Sequence, residues 1–202
     1  MGNSLIGKPH KAVLLTFLLC SFLGLVQVAV CQRYDRAILD TDFGEITIDL
    51  FSNQAPVTVA NFLEYVAKDA YASSHFFRVC TTANEADREF PIEVIQGGEV
   101  PDSLLRAPIQ LETTEKTGIL HKDGTLSMAR SEPNSAQTSF FICIGDQPEL
   151  DFGGKRNPDG QGFAAFGKVI RGMDVVRQIQ QLPDRDQYLL DPVAIRSIQF
   201  SN

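Results

Sequence analysis

Between residues 45 and 50 apolar and polar side chains alternate: Ile46, Ile48 and Leu50 are separated by Thr47 and Asp49. With an apolar run at 37–40 before it and Asp42-Phe43-Gly44 between, a period of two predicts a hairpin with one buried face. The period then changes. Pro56 suits the first position of a helix, and Val59, Phe62, Leu63 and Val66 recur at helical spacing, which predicts a helix with one apolar stripe over 56–68. Residues 75–80, HFFRVC, read as a strand, and 81–90, TTANEADREF, as a polar, acidic loop. Residues 91–95 resume the sheet, and Gln96-Gly97-Gly98 permits a sharp, close-packed turn. Residues 101–123 are mixed and turn-rich, and their pattern assigns no element.

The stretch 125–144 organises the rest. Leu126, Met128 and Ala129 form one apolar run, and 140–144, FFICI, form a second of the kind that suits a strand buried on at least one face. Between them, 130–139 is built from hydroxyls and amides around the turn signal Pro133-Asn134. Such a loop exposes backbone N–H and C=O groups beside an apolar wall, an arrangement suited to an extended peptide. Further on, 151–162 read as a long loop and 163–169 as a strand. Residues 173–180 read as a helix with Val175, Val176 and Ile179 inward, and Val193, Ile195, Ile198 and Phe200 belong to a terminal strand able to pair with the first. Many short strands with two helices predict a mainly β fold closed into a barrel.

The 202 residues fit one domain with one sizeable core. The first 31 carry two lysines, Lys8 and Lys11, and no acid, leaving 16 basic against 25 acidic side chains, a net of −9. An acidic domain without a basic tract argues against nucleic-acid binding. Residues 12–30 are uncharged and follow those lysines, the layout of a secretory signal, with Ala29-Val30-Cys31 offering small residues for a cut after Cys31. The run is also near the lower limit for a membrane span. Two outcomes are open: 1–31 is removed as a signal peptide, or it stays as a membrane tether. In both, the basic flank places residues 32–202 across the membrane, as an exported or periplasmic domain. Of the four cysteines, Cys80 and Cys143 lie past the leader. They read first as small strand hydrophobes, although an exported chain permits a bond between them.

L-S-M-A at 126–129, a Pro-Asn loop, then S-F-F-I-C at 139–143 resemble the cyclophilin family of peptidyl-prolyl isomerases. HFFRV at 75–79 with VIQGG at 94–98, and FAAFGKVIRGMDVV at 163–176, are similar to two further blocks of that family. Together they span roughly 37–200. The resemblance implies a closed, antiparallel, eight-stranded barrel with two capping helices and isomerisation of X-Pro bonds. It also implies proline-containing peptides and unfolded clients as partners, a monomer, and neither metal nor cofactor. It assigns catalysis to Arg78. The proline ring would be held by Val94, Phe141, Leu150 and Phe163, with Gln96 orienting Arg78 or the peptide. Ala129 and Arg130 would offer backbone groups, and Phe77 and Ser139 would stand at positions lining the groove.

Several positions depart from the family pattern. Phe77 and Phe163 replace histidines, Ser139 replaces a glutamine, and Glu149 stands in place of a rim tryptophan. Residues 81–90 are an insertion, so the pocket phenylalanine falls at Glu93 or Ile92. If acidic side chains enter the pocket, the chain is a peptide-binding or chaperone module with little catalysis.

Other motifs carry less. G-x-x-x-x-G-K at 162–168 is followed by Val169 rather than Ser or Thr and lies in a predicted strand, unlike a phosphate loop. The glycines at 160–162 lack the strand-to-helix setting of a dinucleotide site. A calcium loop at 155–160 would begin on Lys155. His75 and His121 have no nucleophile motif beside them for a hydrolytic triad, and no Cys/His cluster suggests zinc.

Overall fold

A computed structural model describes Met1, Gly2 and residues 36–201, so the segment 12–30 lies outside the described residues. Arg36–Thr41 (β1) and Gly44–Leu50 (β2) form the expected hairpin. His75–Cys80 (β3), Val94–Gly97 (β4), Thr125–Met128 (β5), Phe140–Cys143 (β6) and Ala164–Arg171 (β7) follow. The two-residue Asp184–Arg185 (β8) and the long Tyr188–Ser201 (β9) end the chain. The strands run β1-β2-β7-β5-β6-β4-β3-β9 and β9 pairs back onto β1, so eight antiparallel strands close on themselves. β8 pairs only with β9 and hangs outside the ring.

The helices are Pro56–Ala67 (α1), the single turn Thr114–Thr117 (α2) and Met173–Gln180 (α3). α1 and α3 are the expected pair. α2 lies in 101–123, where apolar periodicity was absent because the segment is held by point contacts rather than by a packed stripe. Two bonds show this: Thr114 Oγ1 accepts from the Phe152 amide, and the Ile109 amide donates to the Ala136 carbonyl. Three strand bounds also differ from the pattern. β4 begins at Val94 and includes Gln96 and Gly97, which were expected to turn; the turn residue is Gly98, at φ +83°. β7 starts at Ala164, leaving Phe163 in the loop, and β9 starts five residues before Val193, with Tyr188.

Ile46, Ile48, Leu126, Met128, Phe140 and Phe166 fill the barrel, all but sealed from solvent. Phe140 stands near its centre, edge-on to the rings of Phe62, Tyr71 and Phe76 at centroid distances of 5.9, 5.7 and 6.0 Å. Alternation along β6 sends Phe140 and Ile142 inward and Phe141 and Cys143 to the outer face. A second, smaller apolar cluster forms there: Cys80, Ile92, Val94, Phe141, Cys143, Leu150 and Phe163. The site grows on this outer face.

Cys80 and Cys143 are free. Both stand opposite Val94, from β3 and β6, so the whole of β4 lies between them. Two interstrand spacings, roughly 9–10 Å, exceed what a disulfide spans. Burial pushes the Cys80 thiol up to about 11 and the Cys143 thiol well above its ordinary value, which leaves both as neutral hydrophobes.

Candidate active site

One cross-strand row carries the site. Ser127 of β5 pairs with Phe141 of β6, Phe141 with Gln96 of β4, Gln96 with Arg78 of β3, and Arg78 with Tyr188 of β9. Arg78 is in this row because β3 is irregular. Its register shifts between Phe76 and Arg78, so Phe76 and Val79, three apart, both enter the core while Arg78 and Cys80 face outward. A bulge of this kind re-aims a side chain, and bulges concentrate beside active sites.

The Arg78 guanidinium is held on two edges. Nη1 donates to Gln96 Oε1 at 2.8 Å, while Nε and Nη2 both donate to Gln187 Oε1, at 3.0 and 2.5 Å. Gln96 is oriented in turn: its Nε2 donates to Ser139 Oγ at 3.2 Å, and Ser139 donates to the Gly97 carbonyl. The expected roles of Gln96 and Ser139 thus meet in one chain of bonds. Both acceptors on Arg78 are neutral amides, so the positive charge is fixed in place without being neutralised.

Next to Arg78 lies a recess of about 230 Å³, floored by Val94, Phe141 and Leu150 and walled by Ile92 and Phe163. Phe141 and Phe163 meet edge to face at 5.4 Å. Ile92, not Glu93, takes the wall position. Glu93 turns away, and its Oε1 accepts from the Thr82 amide and hydroxyl. Glu149 is also tied outside the recess, accepting from the Lys155 amide at 2.8 Å. Neither acid lines the recess: its floor is apolar, and its polar rim comes from Arg78, Gln96, Arg130, Arg156 and Asn157.

Arg130 does more than offer backbone. Its side chain, 1% exposed, donates through Nε to the Gly162 carbonyl and in a bidentate fork to Asp159, and lies 5.3 Å over the Phe163 ring. Arg130 hydrogen bonds hold the Asp159 carboxyl below its usual range. Gly162, at φ +63°, lets the loop lie against Leu150 and Asp151, where an added Cβ would come within 2.5 Å of the Leu150 carbonyl. The Phe163 wall is thereby pinned from two sides. The Ala129 amide is already bonded to Ser139 O, which leaves its carbonyl as the group it can offer. Phe77 is not brought into the recess; it stacks on Tyr188 at 6.3 Å. A second, open recess of about 500 Å³ adjoins the first through Gln96, Ala129 and Arg130 and includes Ser139.

His121 also needs correction. The fold does bring a serine and a carboxylate to it: Nδ1 lies 2.7 Å from Asp151 Oδ1 and Nε2 lies 2.9 Å from Ser127 Oγ. A carboxylate only accepts, so Nδ1 donates to Asp151, and Nε2 shares a hydrogen bond with the Ser127 hydroxyl. Ser127 is fully buried and His121 is 1% exposed beneath Phe141, on which it stacks. With no substrate access, this is a structural brace under the recess floor, not a hydrolytic site.

The family model for cyclophilin type peptidyl-prolyl cis-trans isomerases matches residues 36–200. The chain belongs to the cyclophilin family. An isomerase of Acinetobacter baylyi is 35% identical over 81% of this chain and 84% of its own. One from Streptomyces antibioticus is 38% identical over 70% of this chain and 81% of its own, and isomerase B of Escherichia coli is 35% identical over 69% and 80%. A crystal structure of a Cryptosporidium parvum cyclophilin has the same fold, with a TM-score of 0.65 at 22% identity, covering 83% of this chain and 99% of that one. This cyclophilin is a peptidyl-prolyl cis-trans isomerase.

Sequence reasoning missed Gln187, Glu85 and Arg156. Their only signal was composition: amides and charges in turn-rich stretches.

Proposed function

We propose that Arg78 is the catalytic residue, that the recess of Val94, Phe141, Leu150 and Phe163 holds the proline ring, and that the clients are unfolded exported proteins. The observation that carries the site assignment is a cation fixed on two edges by neutral amides, beside a recess with an apolar floor of Val94, Phe141 and Leu150. Resonance gives the X-Pro bond a barrier of about 18–20 kcal/mol. Twisting the amide returns a lone pair to the proline nitrogen, and a donor that bonds the twisted form better than the planar one lowers the barrier. Arg78 supplies such donors, while the recess holds the ring and the residue before it rotates. An extended peptide would continue across Gln96 and the Ala129 carbonyl into the second recess. The Cryptosporidium parvum relative was crystallised in the presence of the dipeptide Ala-Pro, which supports a proline peptide as ligand.

The export part of the reading rests on residues 12–30, with their basic flank and lack of charge. It takes the chain as a monomer, freed by cleavage or tethered through that segment. The mature protein should be recovered outside the cytoplasm, its mass separating cleavage from tethering, and it should accelerate refolding of an exported client that contains a slow proline step. Soluble full-length protein in the cytosol would remove the export reading and leave the isomerase intact.

Sensitivity to cyclosporin is expected to be low. By resemblance the family's rim tryptophan is Glu149 here, and its carboxylate accepts from the Lys155 amide. Losing an aromatic contact and gaining a charge weakens the drug by about 1–2 kcal/mol or more. Inhibition at nanomolar concentration would contradict this.

A further inference from the structure

Residues 81–90 interrupt the link between β3 and β4, and the proposed mechanism gives them no role. Their one buried side chain is Glu85, fully enclosed within an otherwise exposed, acidic segment. Its Oε1 accepts from Gln187 Nε2 at 2.5 Å and from Arg156 Nη2 at 2.9 Å, and its Oε2 accepts from Arg156 Nη1 and the Ile92 amide. Arg156, from the 151–162 loop, also bonds the Phe90 carbonyl, closing the insertion over the carboxylate. We infer that the insertion is a positioning device for the catalytic arginine: Glu85 fixes the amide of Gln187, and Gln187 fixes the guanidinium of Arg78.

The bond directions require this order. A Gln amide can turn either end toward a neighbour. Glu85 can only accept, so it takes the Nε2 end and leaves Oε1 facing Arg78. Ser139 does the same for Gln96 on the opposite edge. The charge arrangement suits a catalytic cation. Glu85 is neutralised by Arg156 rather than by Arg78, so the insertion orients Arg78 through a neutral amide and leaves its field for the substrate.

A second observation is independent of these bonds. β8 and β9 are joined by a two-residue turn, Asp186-Gln187, with φ of +53° and +74°. Such turns favour Asn or Asp followed by Gly. Glutamine at the second position holds a left-handed backbone that costs energy without a Cβ-free residue. Strain of this sort persists where surrounding structure overrides it, and it clusters at functional sites. Here the side chain that a glycine would lack is the one bonded to Arg78.

The inference rests on Arg78 being catalytic, and the test separates the two claims. Gln187→Met keeps the bulk but replaces the amide with a weak acceptor. Exchange spectroscopy on a bound proline peptide should show interconversion slowed by about 10–100-fold, the scale for a misplaced catalytic group, with peptide affinity little changed. The Arg78 Nε–H, bonded to Gln187 Oε1 in the parent protein, should exchange with water faster in the variant than in the parent. Gln187→Gly should do the same while leaving the melting temperature equal or higher, because the turn is relieved; it also serves if the Met variant fails to fold. Arg78→Ala is run in parallel. If Arg78→Ala slows interconversion and both Gln187 variants do not, the positioning role is overturned and the catalytic assignment stands. If Arg78→Ala has no effect, both fall.

Discussion

Arg78→Ala is expected to lower the bound-state interconversion rate of a proline peptide by about 10²–10³, the usual loss for one preorganised donor, with a much smaller change in affinity. The asymmetry follows from the geometry. On the proposed reading the ring is held by Phe141, Leu150 and Phe163, which line the recess and which the substitution leaves alone, whereas the donors for the twisted nitrogen would come from Arg78. Arg78→Lys should rescue little, because a single ammonium cannot bond Gln96 and Gln187 on two edges and still present donors to the peptide. The barrel should survive, since Arg78 lies on the outer face while Phe76 and Val79 pack the interior. Exchange spectroscopy reports the interconversion rate and the affinity separately. Unchanged interconversion in a folded Arg78→Ala protein would remove the residue from the mechanism.

Elements with a strong local period were legible in the sequence. Met173–Gln180 and His75–Cys80 have the bounds their patterns imply, and the β1–β2 hairpin and α1 differ by a residue or so at their ends. Arg78 and Gln96 stood out through the family resemblance, not through period: Arg78 alone reads as a strand-edge residue, and Gln96 as the start of a turn. The rest of the site is encoded across long separations, where period says nothing. Glu85 looks like one more surface acid in NEADRE. Its burial depends on Arg156, 71 positions later, and on Gln187, 102 positions later. The choice between Ile92 and Glu93 as pocket wall turned on how the insertion is threaded, which Thr82 decides by binding Glu93 from outside. His121 was dismissed for want of a nucleophile motif, yet strand pairing supplies Ser127 and the loop supplies Asp151. A motif search sees neighbours in sequence, and these three are neighbours only in the folded chain.

The largest effect on stability is expected from Arg156→Met. Glu85 is fully buried and the Arg156 side chain is 14% exposed, so the substitution strands a carboxylate among neutral donors. Breaking one half of a buried pair costs about 3–5 kcal/mol, read from denaturant unfolding at neutral pH. The pH dependence should invert as well. In the parent protein burial alone would raise the Glu85 pKa, but the Arg156 hydrogen bonds and charge, with the Ile92 amide and Gln187, hold it below its usual value. A depressed carboxylate contributes stability that is fully present above its unfolded pKa of about 4.3 and is lost as pH falls through the folded value. Without Arg156, burial dominates and the folded pKa rises above the unfolded one. Protonation then favours the fold, so the deficit of the variant should be greatest at neutral pH and shrink as the solution is brought toward pH 4. A double substitution, Glu85→Leu with Arg156→Met, removes both charges and should recover much of the loss, since an apolar pair of similar volume is often neutral or better. It would still lack the acceptor for Gln187, so its stability should return while its isomerisation rate stays low. A deficit in Arg156→Met that is flat across pH would mean that Glu85 is not the group left stranded.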